Sequence, residues 1–136
     1  MTEINRTQSG IAWQKIVVAE HAQSDSVREE MASDDFWRPV AHKFVPPKKG
    51  DSGPDDTIQK LVEFITKGET VLDVGAGGGR IAIPLAEYSS HVTAVEPSEA
   101  MREQLVGTAE AWGVRNLSVI ASTWEDAEVE PHDLVV

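Results

Sequence analysis

From residue 11 to residue 40 the apolar positions Ile11, Ile16, Val17, Val27, Met31, Phe36, Trp37 and Val40 are spaced among charged ones, a pattern that predicts two or three short amphipathic helices. The stretch Val45-Pro46-Pro47-Lys48-Lys49-Gly50-Asp51-Ser52-Gly53-Pro54 has prolines, glycines and no apolar period, so it reads as a loop. The boundary is placed there: residues 1–54 are an N-terminal helical extension or lid with its linker, and residues 55–136 are a second domain. Beyond the loop the period changes. Ile58, Leu61, Val62 and Ile65 fall at i, i+3, i+4 and i+7, with Pro54 and two aspartates at the start and Gly68 past the end, which predicts a helix over 55–67. Thr70-Val71-Leu72-Asp73-Val74 is a β-rich run stopped by glycines, and 80–88 suits a helix if Pro84 falls in its first turn or kinks it. His91-Val92-Thr93-Ala94-Val95 predicts a second strand. Ser98 is placed to cap a helix through Met101, Leu105, Ala109 and Trp112 that ends near Gly113. Leu117-Ser118-Val119-Ile120-Ala121 and Leu134-Val135-Val136 complete the series as third and fourth strands.

Strands and helices alternating at this spacing predict right-handed crossovers and a parallel sheet covered by helices, an α/β fold. Ligands of such sheets bind beyond the carboxyl ends of the strands, where the glycine-rich loop after the first strand sits.

Composition narrows the function classes. With 136 residues, 40% hydrophobic and 26% charged, the chain is globular, and no apolar run approaches the roughly 20 residues of a membrane span. The first residues lack the order of a secretory signal and there is no cysteine, which makes a cytoplasmic location the expectation and removes thiolate metal sites. His21, His42, His91 and His132 show no metal-ligand spacing, so no metal is expected. No Gly-x-Ser-x-Gly elbow starts a hydrolase triad. The net charge is −11, and residues 55–136 carry five basic against fifteen acidic side chains, a field that repels a phosphate backbone and disfavours nucleic acid as partner. The tryptophans Trp13, Trp37, Trp112 and Trp124 suit core or lid positions.

The chemistry is concentrated in Asp73-Val74-Gly75-Ala76-Gly77-Gly78-Gly79-Arg80, where glycines between a strand and a helix let the backbone turn sharply and approach a ligand. Position 80 of a dinucleotide fingerprint counted from Gly75 and Gly77 should be glycine and is Arg80. Asp73 would face a diphosphate with the wrong sign and suits a cationic ligand better. No Lys-Ser/Thr pair closes a phosphate-binding loop.

Val71-Leu72-Asp73-Val74-Gly75-Ala76-Gly77-Gly78-Gly79 resembles motif I of class I S-adenosylmethionine-dependent methyltransferases, acidic-x-Gly-x-Gly-x-Gly. Val92-Thr93-Ala94-Val95-Glu96 resembles that family's second strand with its terminal acidic residue. The stretch from Ser118 to Ala127 resembles its third strand and adenine-side loop, and His132-Asp133-Leu134-Val135-Val136 its fourth strand. The resemblance covers about residues 55–136, and more loosely Asp35-Phe36-Trp37. It implies a Rossmann-like sheet that binds S-adenosylmethionine. Asp73 then lies toward the methionyl ammonium, Gly75, Ala76, Gly77 and Gly79 form the close-packing loop, and Glu96, next to Pro97, accepts from the ribose hydroxyls. Met101 packs either on the adenine or in the core. The commonest acidic residue of the adenine-side loop is replaced by Thr123, with Trp124 as an aromatic wall or core residue and Glu125 or Asp126 near the adenine amino group. Asp133 is either a functional or a structural residue at the start of the fourth strand.

The resemblance implies methyl transfer, with no nameable catalytic base, and the acidic charge of residues 55–136 points to a small molecule or a protein as acceptor rather than nucleic acid. The alternative is a non-catalytic cofactor-binding module that needs another segment or subunit. The family's sheet has seven strands, so a chain that stops within its fourth is expected to be a fragment whose fourth strand can pair with another chain.

Overall fold

The computed structural model describes residues 35–48, 51 and 55–136. The helices expected around Ile11, Ile16, Val17, Val27 and Met31, and Trp13 and His21, lie outside the described residues. The chain divides into two compact units, 1–36 and 37–136. Only Asp35 and Phe36 of the first unit are described, and the second contains the sheet. The second unit begins at Trp37, ahead of the proline- and glycine-rich stretch, and has a 3-10 turn at Ala41–Lys43.

The sheet is built from β1 (Thr70–Val74), β2 (His91–Val95), β3 (Leu117–Ile120) and β4 (Leu134–Val135), in the order β3-β2-β1-β4 and all parallel. Val71 stands opposite both Val92 and Leu134, and Val92 opposite Leu117, so one row of branched side chains crosses the sheet on a single face. That row and the next one, Ala94 and Val119, meet Leu85, Ala82, Ala86 and Leu105 from the helices in the main apolar core. The ladder runs on past β4, since the Val136 N–H donates to the Leu72 carbonyl and the Val74 N–H to that of Val136.

Helix α1 (Asp56–Val62) starts one residue inside the expected 55–67, after Asp55, whose carboxylate accepts the Thr57 N–H at 2.9 Å as its cap. It ends earlier than its apolar period. The N–H groups of Phe64 and Ile65 donate three residues back, to Leu61 and Val62, tightening the last turn. Helix α2 (Ala82–Leu85) is one turn long, and Pro84 falls in its first turn, where a missing N–H breaks no helical bond. Helix α3 (Glu99–Ala111) is capped by Ser98, whose hydroxyl accepts the Met101 N–H, and is closed at Gly113, where φ is +71°. No helix among the described residues is long and apolar enough to cross a membrane.

The connection between β3 and β4 contains no helix. It is tied down instead by side chains. His132 accepts or donates at 2.8 Å to the Thr93 hydroxyl of β2, while its other ring nitrogen meets the Glu130 carbonyl. The Asp133 carboxylate accepts both the backbone N–H and the hydroxyl of Thr70, a structural role at the first residue of β1, and these bonds hold its pKa below the ordinary value.

Candidate functional site

The carboxyl ends of β1 and β2 bring Asp73 and Glu96 to adjacent positions at one edge of the sheet. Asp73 is paired with Ala94, so Glu96 follows two residues further along the neighbouring strand. Both carboxylates are buried, at 5% and 6% exposure. The loop between β1 and α2 is stitched to the end of β2 through the Val95 carbonyl, which accepts the N–H groups of both Gly75 and Ala76. Three of its glycines have positive φ: Gly75 at +74°, Gly77 at +56° and Gly79 at +88°. Such angles strain any residue with a Cβ.

The loop's glycines serve different neighbours. A Cβ on Gly79 would stand 2.7 Å from Ile83 Cδ1, so that glycine lets α2 fold back onto the loop. A Cβ on Gly78 would stand 2.7 Å from the Phe44 carbonyl oxygen. A Cβ on Gly75 would meet nothing within 4 Å, and this exposed glycine borders open space.

The two acids are partnered differently. One oxygen of Asp73 accepts the Ala82 N–H, but Oδ2 is buried with no hydrogen-bond partner among the described residues. Burial therefore pushes the pKa up to about 6, against the Ala82 bond, with the nearby Glu96 charge adding to the rise. Glu96 has both oxygens engaged by backbone donors: Oε2 accepts the Gly77 N–H at 2.7 Å and Oε1 the Ser98 N–H at 2.8 Å. Each oxygen retains a second lone-pair direction. The Arg102 guanidinium donates to the carbonyls of Glu96 and Pro97, fixing the turn that carries this carboxylate.

Of the residues expected at the site from sequence, Asp73, Gly75, Ala76, Gly77, Gly79, Glu96 and Pro97 are brought together around this turn. Met101 is buried with Ala41 and Ala100, its sulfur 3.8 Å from where a Gly77 Cβ would be. Thr123, Trp124 and Glu125 follow β3; the Thr123 hydroxyl donates to the Asp126 carboxylate, and Trp124 is half exposed at 48%. The supporting parts that the sequence does not reveal are the Ala82 N–H on Asp73, the Ser98 N–H on Glu96, the Arg102 clamp and Phe44 beside Gly78. Only Gly78 leaves a signal, as a glycine surplus to the acidic-x-Gly-x-Gly-x-Gly spacing. Two surface clefts, one around Pro84, Glu87, Trp112 and Arg115 and one around Pro46, Lys48, Gln104 and Trp112, contain neither acid.

Similarity to known proteins falls on the same segment. The family described as "Methyltransferase domain" matches residues 71–136. A ubiquinone biosynthesis O-methyltransferase of Rickettsia conorii is 28% identical over 136 residues, 99% of this chain and 43% of its own. An uncharacterized protein of Haemophilus influenzae is 36% identical over 58 residues, 43% of this chain and 22% of its own. This chain thus spans less than half the length of these curated relatives. The structure of a Pyrococcus abyssi tRNA (uracil-54, C5)-methyltransferase, solved with S-adenosyl-L-homocysteine, matches 59% of this chain and 20% of that one with a TM-score of 0.53 at 24% identity, a likeness of fold. The segment 71–136, with its parallel α/β sheet and the acid at the end of β1 followed by a glycine loop, is thus the part of the chain that matches the methyltransferase-domain family.

Proposed function

We propose that this chain binds S-adenosylmethionine at the edge formed by β1 and β2 and belongs to an enzyme that methylates a small molecule, most simply on an oxygen. The observation that carries the reading is Asp73 Oδ2, a buried acceptor with no donor among the described residues, beside a loop whose Gly75 borders open space. A buried carboxylate in that state fits a cationic partner, and the methionyl ammonium is one. When bound, S-adenosylmethionine supplies an electrophilic methyl group on a sulfonium sulfur.

Asp73 holds the ammonium, and its ionisation is favoured by that charge. Gly75, Ala76, Gly77 and Gly79 give the loop the shape that admits the methionyl and ribose parts. Glu96, already oriented by Gly77 and Ser98, has lone pairs left to accept from the ribose hydroxyls, with Pro97 fixing the turn. Met101 supports the loop from beneath, and Thr123, Trp124 and Glu125 border the adenine. What these residues contribute to transfer is alignment, which is the main requirement of an in-line displacement.

A small-molecule acceptor is supported by the Rickettsia relative, whose name specifies O-methylation in ubiquinone biosynthesis, and by the net −10 of residues 55–136, which disfavours nucleic acid. A second reading, a cofactor-binding segment that needs further chain or a partner for transfer, is supported by its 43% span of that relative. Calorimetric titration of the chain with S-adenosylhomocysteine tests the cofactor assignment. Saturable binding that Gly77→Arg abolishes and Glu96→Ala weakens is expected, and a folded chain that binds nothing refutes it. Methyl transfer to phenolic acceptors by the whole gene product separates the two readings.

A further inference from the structure

Gly78 has an ordinary backbone conformation, so the loop itself does not require glycine there. Its neighbour does. An ideal Cβ at position 78 would stand 2.7 Å from the Phe44 carbonyl oxygen, 2.8 Å from its carbon and 3.1 Å from the Val45 nitrogen. All three are backbone atoms that no rotamer change can move aside.

Phe44 belongs to a strap, Trp37–Val45, lying along α3 and the glycine loop. The Trp37 ring meets the Phe44 ring edge-on at 5.5 Å. Arg38 bridges Glu99 and Glu103 on α3, and the Phe44 N–H donates to the Ala41 carbonyl. Ala41 is buried against Ala100 and Met101. Met101 is joined through its N–H to the Ser98 hydroxyl, and Ser98 through its own N–H to Glu96 Oε1. Glu96 Oε2 accepts from Gly77, the residue before Gly78. The contacts therefore close a ring from Gly78 through Phe44, Ala41, Met101, Ser98 and Glu96 back to the loop.

We propose that Gly78 is a positioning residue: the absence of a side chain there lets the strap close this ring, and the closed ring holds the Glu96 carboxylate at its place on the ribose side of the site. The inference rests on the cofactor assignment above. Adding a Cβ forces a separation of roughly 0.5 Å or more between loop and strap, which is the tolerance within which a binding constellation must be held. The strap yields first, because its Arg38 ion pairs are exposed and exposed pairs hold weakly, whereas the loop is stitched to β2.

The test measures affinity for two ligands at a temperature well below unfolding: S-adenosylhomocysteine, and methylthioadenosine, which keeps ribose and adenine but has no ammonium or carboxylate. Gly78→Ala is expected to weaken both by the same factor, about tenfold, as loss of an outer support does. Asp73→Asn is expected to weaken S-adenosylhomocysteine only. Gly107→Ala, at a position where a Cβ meets nothing within 4 Å, serves as a control that changes neither. Arg38→Ala, which loosens the strap without touching the loop, should weaken both ligands about twofold to threefold and keeps the proposal testable if Gly78→Ala does not fold. Unchanged affinities in folded Gly78→Ala, or a loss confined to S-adenosylhomocysteine, overturn the positioning role while leaving the cofactor site intact. Should Gly78→Ala not fold, unchanged affinities in Arg38→Ala overturn it. Failure of the unaltered chain to bind either ligand overturns both.

Discussion

Asp73→Asn should make the stability of the ligand-free chain less dependent on pH while removing the contact proposed for the methionyl ammonium. Asp73 is only 5% exposed, and its pKa rises from 3.8 to about 6 on folding, chiefly through desolvation. A rise of about two pKa units corresponds to about 3 kcal/mol. The sign follows from linkage. Below pH 3.8 the carboxyl is protonated in both states and the fold bears no penalty. Between the two values the unfolded chain ionises and the folded one resists, so stability is lost as pH rises through about 6, and above that the loss is constant. Asparagine has nearly the same shape and keeps an oxygen for the Ala82 N–H. Its amide nitrogen, lodged where Oδ2 has no partner, is an unsatisfied donor costing about 1–3 kcal/mol at every pH. The absolute change in stability is therefore small, but its pH dependence is not. The difference between variant and unaltered chain should move in the variant's favour by about 2 kcal/mol between pH 4.5 and pH 8. Urea unfolding of both proteins at the two pH values, followed by circular dichroism, reads this directly. A difference that stays flat would mean that Asp73 is not a buried, destabilised carboxylate, and with it would go the reason for expecting a cation there.

The same ionisation predicts that affinity for S-adenosylhomocysteine falls about tenfold per unit below about pH 6 and levels off above it as long as the ligand's amino group keeps its proton, because the ammonium selects ionised Asp73; titrations unchanged down to pH 5 would contradict this. Gly79→Ala, with positive φ and Ile83 and Leu105 in the way, should destabilise the chain by about 2–4 kcal/mol, whereas Gly75→Ala bears only the backbone strain of about 1–2 kcal/mol and should remain folded. Thermal melts giving equal losses would show that the loop's glycines are not divided between packing and ligand space. Ser98→Ala should remove the cap of α3 at about 1 kcal/mol, checked by the same melts.

Several features of this protein are legible in the sequence because their causes are local. The limits of β1 and β2 follow from runs of branched residues ended by glycines or an acid, and Asp55 and Ser98 announce their helices through side chains that reach N–H groups two or three residues on. The parallel pairing of the strands follows from their alternation with helices, but the order β3-β2-β1-β4 does not, since other doubly wound orders satisfy the same crossover rule. The early end of α1 is not legible, since Ile65 keeps the apolar period while its N–H has already switched to a tighter bond.

The site divides in the same way. An acid, a glycine loop and a second acid 21 residues beyond Gly75 are written in the chain and carry the resemblance from which the ligand class is proposed. Their states are not. The pKa of Asp73 is pushed up to about 6 because the sheet and helices exclude water from its carboxylate, against the Ala82 N–H, which favours the ionised form. Glu96 is held because Gly77, from a loop 19 residues earlier, and Ser98 both turn their N–H groups toward it. Gly78 is glycine because a backbone segment more than thirty residues earlier passes against it. Hydrogen bonds within a turn depend on the residues of that turn, but desolvation and close approach depend on whatever the rest of the chain brings near, and only the tertiary structure decides that.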